Sequence, residues 1–356
     1  MFRPADIHTP EKNFTCRWSS PSNIAIVKYW GKLPGQIPAN PSVSFTLDSC
    51  RTDTDLEISP REDHDTPYDI EVWLNESPSP SFIPKIGQFF DRIADYAPYL
   101  KKYRFTLRTS NTFPHSSGIA SSASGMSALA LCLVDFENTC GAGYSEEDFL
   151  QRASFYARLG SGSASRSLYG GVAVWGTLDG LPRSSDLFAV PLPPERIHPV
   201  FRDLCDTVVL VEKGAKSVSS STGHKLMENH PYAPARFEQA REHADKLLTI
   251  LQSGNMSAFG QLAESEALTL HAMMMTADPY YILLKPGTVS ILEKVWDIRR
   301  RTSLPLYFTL DAGANVHLLY PAHSRDKVRR FIQEELSPFC NGRFIHDTVG
   351  QGPQKR

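Results

Sequence analysis

No apolar run in the sequence approaches the roughly 18 residues that a membrane span requires, and the opening MFRPADIHTPEKNF lacks the apolar core of a secretion signal. A cytoplasmic protein with no membrane partner is the expectation. The six cysteines (Cys16, Cys50, Cys132, Cys140, Cys205 and Cys340) contain no C-x-x-C pair. That argues against a zinc site and a disulfide framework, and for reduced thiols that are mostly buried. The eleven histidines are scattered, with no H-E-x-x-H spacing, so no protein-ligated catalytic metal is expected. There is no excess of charge of either sign: Lys plus Arg is 37 and Asp plus Glu is 39. No global field therefore attracts nucleic acid or an anionic membrane, and an anionic ligand has to be held by a local site. Internal repeats and low-complexity tails are absent as well.

What is present is the composition of a folded globular chain, 41% hydrophobic and 21% charged. Its 356 residues exceed ordinary single-domain size, so two domains are expected. NIAIVKYW, PSVSFTL, YDIEVWL and YRFTLRTS read as strands, and KIGQFFDRIADYAPYL as a helix. A further helix spans Glu146 to Arg158, and GVAVWG is another strand. The proline-rich LPRSSDLFAVPLPPERIHP marks a boundary, giving domains of 1–195 and 196–356. Beyond it, TVVLVE reads as a strand and long helical patterns cover Ala233–Gln252, Met256–Thr276 and Val289–Thr302. LPLYFTL and VHLLY then flank DAGAN as strands, and DKVRRFIQEEL is a final helix. An α+β second domain follows from this order.

Three stretches could carry chemistry. FPHSSGIASSASGMSALALCL, from Phe113 to Leu133, follows an alternating strand and runs into a helix with Met126, Leu129 and Leu133 at helical spacing. Strand, glycine-rich loop and helix converge free backbone N–H groups on an anion, and Ser121, Ser122 and Ser124 add hydroxyls. A flexible turn before a core helix explains the same pattern. No lysine follows the glycines, so it is not a Walker loop. GSGSASRSLYGG adds Arg166, a planar donor fork suited to carboxylate or phosphate, although an arginine in a loop is more often solvated. In LPLYFTLDAGANVHLLY, Asp311 before an Ala-Gly-Ala turn is either hairpin chemistry or a carboxylate aimed at a substrate hydroxyl.

Together these stretches resemble a known family. Pro114-x-x-x-Gly118-Ile119-Ala120-Ser121-Ser122-Ala123 is similar to the phosphate loop of the small-molecule (GHMP) kinase superfamily, which includes galactokinase, homoserine kinase, mevalonate kinase and phosphomevalonate kinase. Ala120, where most of those kinases have a third glycine, resembles the diphosphomevalonate decarboxylase branch. SPSNIAIVKYWGK (Ser20–Lys32) looks like the N-terminal signature of that branch, GSGSASRSLYGG like its arginine loop and TLDAGANVH (Thr309–His317) like its catalytic-aspartate segment. KSVSSSTGH (Lys216–His224) and SEALTLHAMM (Ser265–Met274) are weaker matches in the expected order.

The resemblance implies an α+β GHMP-kinase fold. Its N-terminal α/β domain would carry a left-handed βαβ unit, its C-terminal domain would be ferredoxin-like, and the active site would lie in the cleft between them. It also implies ATP-dependent decarboxylation of mevalonate 5-diphosphate to isopentenyl diphosphate. Asp311, Lys28 and Arg166 are then catalytic: Asp311 takes the proton of the tertiary hydroxyl, Lys28 offsets negative charge beside it, and Arg166 grips the substrate carboxylate. Tyr29 and Lys32 reach the diphosphate, with Ser161, Ser163 and Ser219 or Ser220 lining the substrate side. Pro114, Ser117, Gly118, Ala120, Ser121, Ser122 and Ser124 hold ATP, whose phosphates carry Mg²⁺ without a protein cage of carboxylates. A homodimer acting on a small molecule is implied too.

The chain departs from the family pattern in three places. Gly31-Lys32 leads into Leu33-Pro34-Gly35-Gln36 rather than Arg-Asp. Glu71 lies before Trp73-Leu74-Asn75, where many relatives have an arginine that grips the diphosphate. His115-Ser116-Ser117 replaces a Thr-Ala-Ala-like run. These bear on the diphosphate contacts, and the alternative they suggest is a decarboxylase of mevalonate 5-phosphate. A kinase that does not decarboxylate, and a non-catalytic ligand- or nucleic-acid-binding module on the same fold, are the other readings.

Overall fold

The computed structural model describes residues 2–8, 13–62, 65–114, 119, 121–212, 218 and 220–356. Two sheets divide the chain. The first is eight-stranded among the described residues, with Gln354–Lys355, Phe14–Val27, Ser42–Pro60, Tyr103–Asn111, Asp69–Leu74 and Ser77–Pro78 in that order. Val172–Trp175 also pairs with Ser42–Pro60 and is joined on its other side by Ala189–Pro191. Every pairing is antiparallel except that between Asp69–Leu74 and Tyr103–Asn111. The second sheet is antiparallel, in the order Tyr307–Leu310, Val316–Tyr320, Cys205–Val209, Phe344–Thr348.

The expected elements form, with shifts at their ends. The strand read at NIAIVKYW is the tail of a longer one, Phe14–Val27, and PSVSFTL begins the strand Ser42–Pro60. KIGQFFDRIADYAPYL is a helix only over Ile83–Ile93, because Pro98 opens a separate 3-10 turn, Pro98–Lys101. DKVRRFIQEEL changes from α-helix to a π turn at Ile332–Leu336. The helix Ser121–Glu137 is buried on every side from Met126 onward, so it forms the centre of the first lobe and not an amphipathic cover. GSGSASRSLYGG is no surface loop: Gly162–Leu168 is a 3-10 segment whose Ala164, Ser165, Arg166, Ser167 and Leu168 are all buried.

The two lobes share a core. Ile24, Val43 and Phe45 of the first pack in one apolar cluster with Val208, Leu247 and Phe259 of the second. Trp30, from the first lobe, sits in a second cluster with Met227, Leu270, Met274 and Ala312. Polar stitching reinforces this seam. The Asp347 carboxylate accepts the backbone N–H groups of Asp48, Ser49 and Cys50 at 2.8–3.0 Å. Among the elements not read from the sequence are the strand Phe344–Thr348 and the final strand Gln354–Lys355, which crosses back to pair with Trp18 and Ser19 of the first lobe.

Candidate active site

Lys28 follows directly on the strand Phe14–Val27, at the point where the chain leaves the first sheet and meets the second lobe. Its side chain is 1% exposed and its ammonium donates to the Ala25 carbonyl. Burial pushes the Lys28 amine down to about 8, against the raising influence of Asp311 and Glu266; Arg166 pushes it the same way as burial. Asp311 is thus the foremost charge acting on it.

Arg166 is 2% exposed in the 3-10 segment, and its position is over-determined. Its guanidinium donates to Asn23 Oδ1 at 3.2 and 3.3 Å, to Ser44 Oγ at 3.1 Å and to Ser42 Oγ at 2.5 Å. All these acceptors are neutral, and among the described residues no carboxylate lies within ion-pair distance of it. Burial holds the group down to about 10, and Asp311 is again the first charge that raises it. A buried guanidinium with only neutral partners is an unmet positive charge, suited to an incoming carboxylate.

Asp311 ends the strand Tyr307–Leu310 and is partly exposed. Its backbone is fixed from behind: the carbonyl accepts from Gly313 N–H at 2.7 Å and lies 3.1 Å from His271 Nε2. The carboxylate makes no ion pair within 4 Å among the described residues, yet its field acts on both Lys28 and Arg166. The three groups that the sequence singled out from distant segments therefore come together, two from the first lobe and one from the second.

A buried network holds Lys28 in place from behind. Glu266, 0% exposed, accepts the Lys28 backbone N–H at 2.8 Å, two bonds from Arg236 at 2.6 and 2.8 Å, and lies 2.6 Å from His243 Nδ1. Burial works to raise its carboxyl, but His243, Arg236 and the Lys28 amide hold it below the ordinary value. Removing one member strands the others in the interior. Glu266→Leu is expected to destabilise the protein by about 3–5 kcal/mol, measured by denaturant unfolding.

Tyr29 is 8% exposed and packs on Trp175, and its buried hydroxyl has no hydrogen-bond partner among the described residues. A buried hydroxyl left without a partner is available to an incoming ligand. Gly31 takes φ +112°, where a Cβ would meet Phe237 at 2.7 Å, so only glycine lets the signature turn lie against the second lobe. Lys32 is partly exposed, and burial with Arg92 and Lys85 pushes its amine down to about 8. Lys85, on the helix Ile83–Ile93, donates to Ser122 Oγ at 3.0 Å. Lys32, Lys85 and Arg92 thus make a cluster of cations beside the start of the helix Ser121–Glu137.

Of the remaining expected site residues, Ser161 and Ser163 flank the start of the arginine segment, half-buried, and the Ser163 carbonyl accepts from Asn23. Ser121 and Ser122 open the helix at its accessible end, and Pro114 is exposed. Ser124 is turned inward, 0% exposed and 2.6 Å from Thr52 Oγ1. Ser117, Gly118, Ala120 and Ser219, and the side chain of Ser220, lie outside the described residues. Sequence reasoning missed Lys85, Arg92 and Glu266, and the trio Asn23, Ser42 and Ser44 that aims Arg166. Glu71 accepts from the Trp73 indole and from Arg104 on the sheet.

Two family models match the chain. One, described as a diphosphomevalonate decarboxylase-like N-terminal domain, covers residues 20–185, and the other, a mevalonate 5-diphosphate decarboxylase C-terminal domain, covers 207–355. The diphosphomevalonate decarboxylase of Candida albicans is 27% identical over 95% of this chain and 96% of its own length. That of Bos taurus is 29% identical over 92% and 82%. Among solved structures, mevalonate diphosphate decarboxylase from Staphylococcus aureus superposes with a TM-score of 0.82 at 26% identity, covering 98% of this chain and 100% of that one. MDDEF in complex with MVAPP, AMPPCP and magnesium gives 0.80 at 25%, covering 97% and 99%.

Proposed function

The chain belongs to the diphosphomevalonate decarboxylase family, and from that premise we propose that it converts mevalonate 5-diphosphate and ATP to isopentenyl diphosphate, ADP, phosphate and carbon dioxide. The meeting of Asp311 with the buried cations Lys28 and Arg166 across the two lobes carries this reading. A tertiary alcohol is hindered and very weakly acidic. It has to be held in line with the γ-phosphate, and its proton accepted as the bond forms. Asp311 takes that proton. Lys28 offsets the negative charge that builds beside it.

Once the alcohol is phosphorylated, phosphate departs with the C–O bonding pair and leaves a carbocation-like carbon. The electrons of the bond to the carboxylate flow into that centre, forming the alkene and releasing carbon dioxide. Arg166 keeps the carboxylate ionised and turned for this step. Lys32, Lys85 and Arg92 match the charge of the phosphate groups, and the helix start at Ser121 and Ser122 suits the triphosphate. Mg²⁺ carried in with ATP would supply further charge neutralisation there, with Lys85 beside the phosphates and the Ser121 and Ser122 hydroxyls as the oxygen donors at that end. The same reading makes the protein a cytoplasmic homodimer, checked by light scattering.

ADP and carbon dioxide release, followed together with mevalonate 5-phosphate and 5-diphosphate at equal concentration, tests the assignment. One carbon dioxide per ADP and a clear preference for the diphosphate are expected; a preference for the monophosphate, or ADP without carbon dioxide, overturns it. A pH dependence follows. Lys28 is charged below about 8 and neutral above it, so kcat should fall as pH rises through that value. Lys32 loses its charge over the same range, so KM for the diphosphate should rise in parallel, whereas Arg166, near 10, stays charged. A kcat that is flat or increasing across this interval contradicts the role of Lys28.

A further inference from the structure

His224 is a titratable group that the chemistry above leaves unused. It lies in the short helix Ser220–Lys225 of the second lobe, yet its ring is wedged between two aromatic residues of the first-lobe signature. Its centroid is 4.3 Å from that of Tyr29 and 4.7 Å from that of Trp30, and the residue is 7% exposed. The approach is tight: a Cβ on neighbouring Gly223 would lie 2.5 Å from the Trp30 ring and 2.7 Å from the Tyr281 hydroxyl. The Gly31 N–H donates to His224 Nδ1 at 2.9 Å. An accepting Nδ1 bears no hydrogen, so the neutral ring carries its proton on Nε2 and presents a donor there. Among the described residues nothing accepts from that donor.

The surroundings identify the kind of group that would accept. The faces packed on the ring bring Tyr29, with its orphaned hydroxyl, the uncharged Trp30, and the phenol of Tyr281 beside Gly223. Lys32 is the charged residue whose field reaches the imidazole, and burial followed by Lys32 holds it well below its ordinary value. An unused N–H, an unused hydroxyl and a cation without a counter-charge at one interlobe corner describe a pocket for an oxyanion.

We propose that His224 is a substrate contact whose Nε2–H donates to a phosphate oxygen of the isoprenoid precursor, beside Lys32, so that the second lobe grips the phosphate end of the substrate as well as its alcohol. This rests on the reading of the site as a mevalonate 5-diphosphate pocket. The rival role for a stacked histidine is structural, a wedge between the lobes, and steady-state kinetics separate the two.

His224→Leu removes the donor while keeping an apolar filling, and His224→Gln keeps an N–H at similar reach. For a lost charge-assisted hydrogen bond, KM for mevalonate 5-diphosphate should rise by about tenfold in the leucine variant. Its kcat should stay within about twofold and KM for ATP should not move, as expected for uniform binding. His224→Gln should recover most of the loss. If the leucine variant does not fold, His224→Met, which also lacks a donor and adapts to irregular space, carries the same expectation. An unchanged KM for the diphosphate, equal shifts in both KM values and kcat, or glutamine no better than leucine overturns the proposal. A wild-type protein that releases carbon dioxide from neither substrate overturns the reading of the site as well; one that turns over while the leucine variant matches it overturns only the contact.

Discussion

Asp311→Asn is expected to lower kcat for carbon dioxide release by about 10²–10⁴-fold, the range that a positioned general base supplies. Asparagine has the same shape and hydrogen-bonding reach, but it accepts no proton at this pH. The substitution is mild for the fold. The loop is fixed through the Asp311 carbonyl, bonded by Gly313 N–H, and among the described residues the carboxylate has no ion-pair partner to strand. Thermal melting and ATP affinity should therefore hold. There is a second signature. Asp311 is the foremost charge raising Lys28, so without it the Lys28 amine falls further below about 8, and the residual activity should lose its alkaline limb at lower pH. An asparagine variant within tenfold of wild type, or one with an unmoved limb, removes Asp311 from the chemistry.

Arg166→Met should cost about 10²–10³-fold in kcat/KM, as for loss of a preorganised electrostatic contact, and Arg166→Lys should recover little. Lysine brings the charge without the planar fork, and the geometry built by Asn23, Ser42 and Ser44 is matched to a fork. The stability effect should be small beside the activity effect. Arg166 is a cation kept dry among neutral acceptors, so replacing it relieves a desolvation cost that offsets the hydrogen bonds lost by Asn23, Ser42 and Ser44, and the methionine variant should melt within a few degrees of wild type. Measuring both quantities on one preparation tests the claim, because a residue that merely holds the fold together would lose activity and stability together.

Legibility from the sequence followed the range of the signal. Phe113–Leu133, Gly160–Gly171 and Thr309–His317 each carry their chemistry within a dozen or two residues, and the structure brings Lys28, Arg166 and Asp311 to one place. The partners that aim these residues were not legible. Asn23 and Arg166 are 143 positions apart, and Lys28 and Glu266 are 238. Nothing local in an asparagine or a glutamate says which distant cation it will meet. Lys85 carried no signal within its own helix, because its amine reaches Ser122, 37 positions away.

The return of Gln354–Lys355 to the first sheet has a mechanical consequence. The polypeptide passes from one lobe to the other after Ala189–Pro191 and comes back after Phe344–Thr348, so the lobes are joined by two covalent tethers and not swung on one. With an apolar seam also shared between the halves, opening like a jaw would strain both tethers at once. The enzyme should behave as a rigid vice whose bite is set before substrate arrives, and small-angle scattering profiles with and without ligand should superimpose.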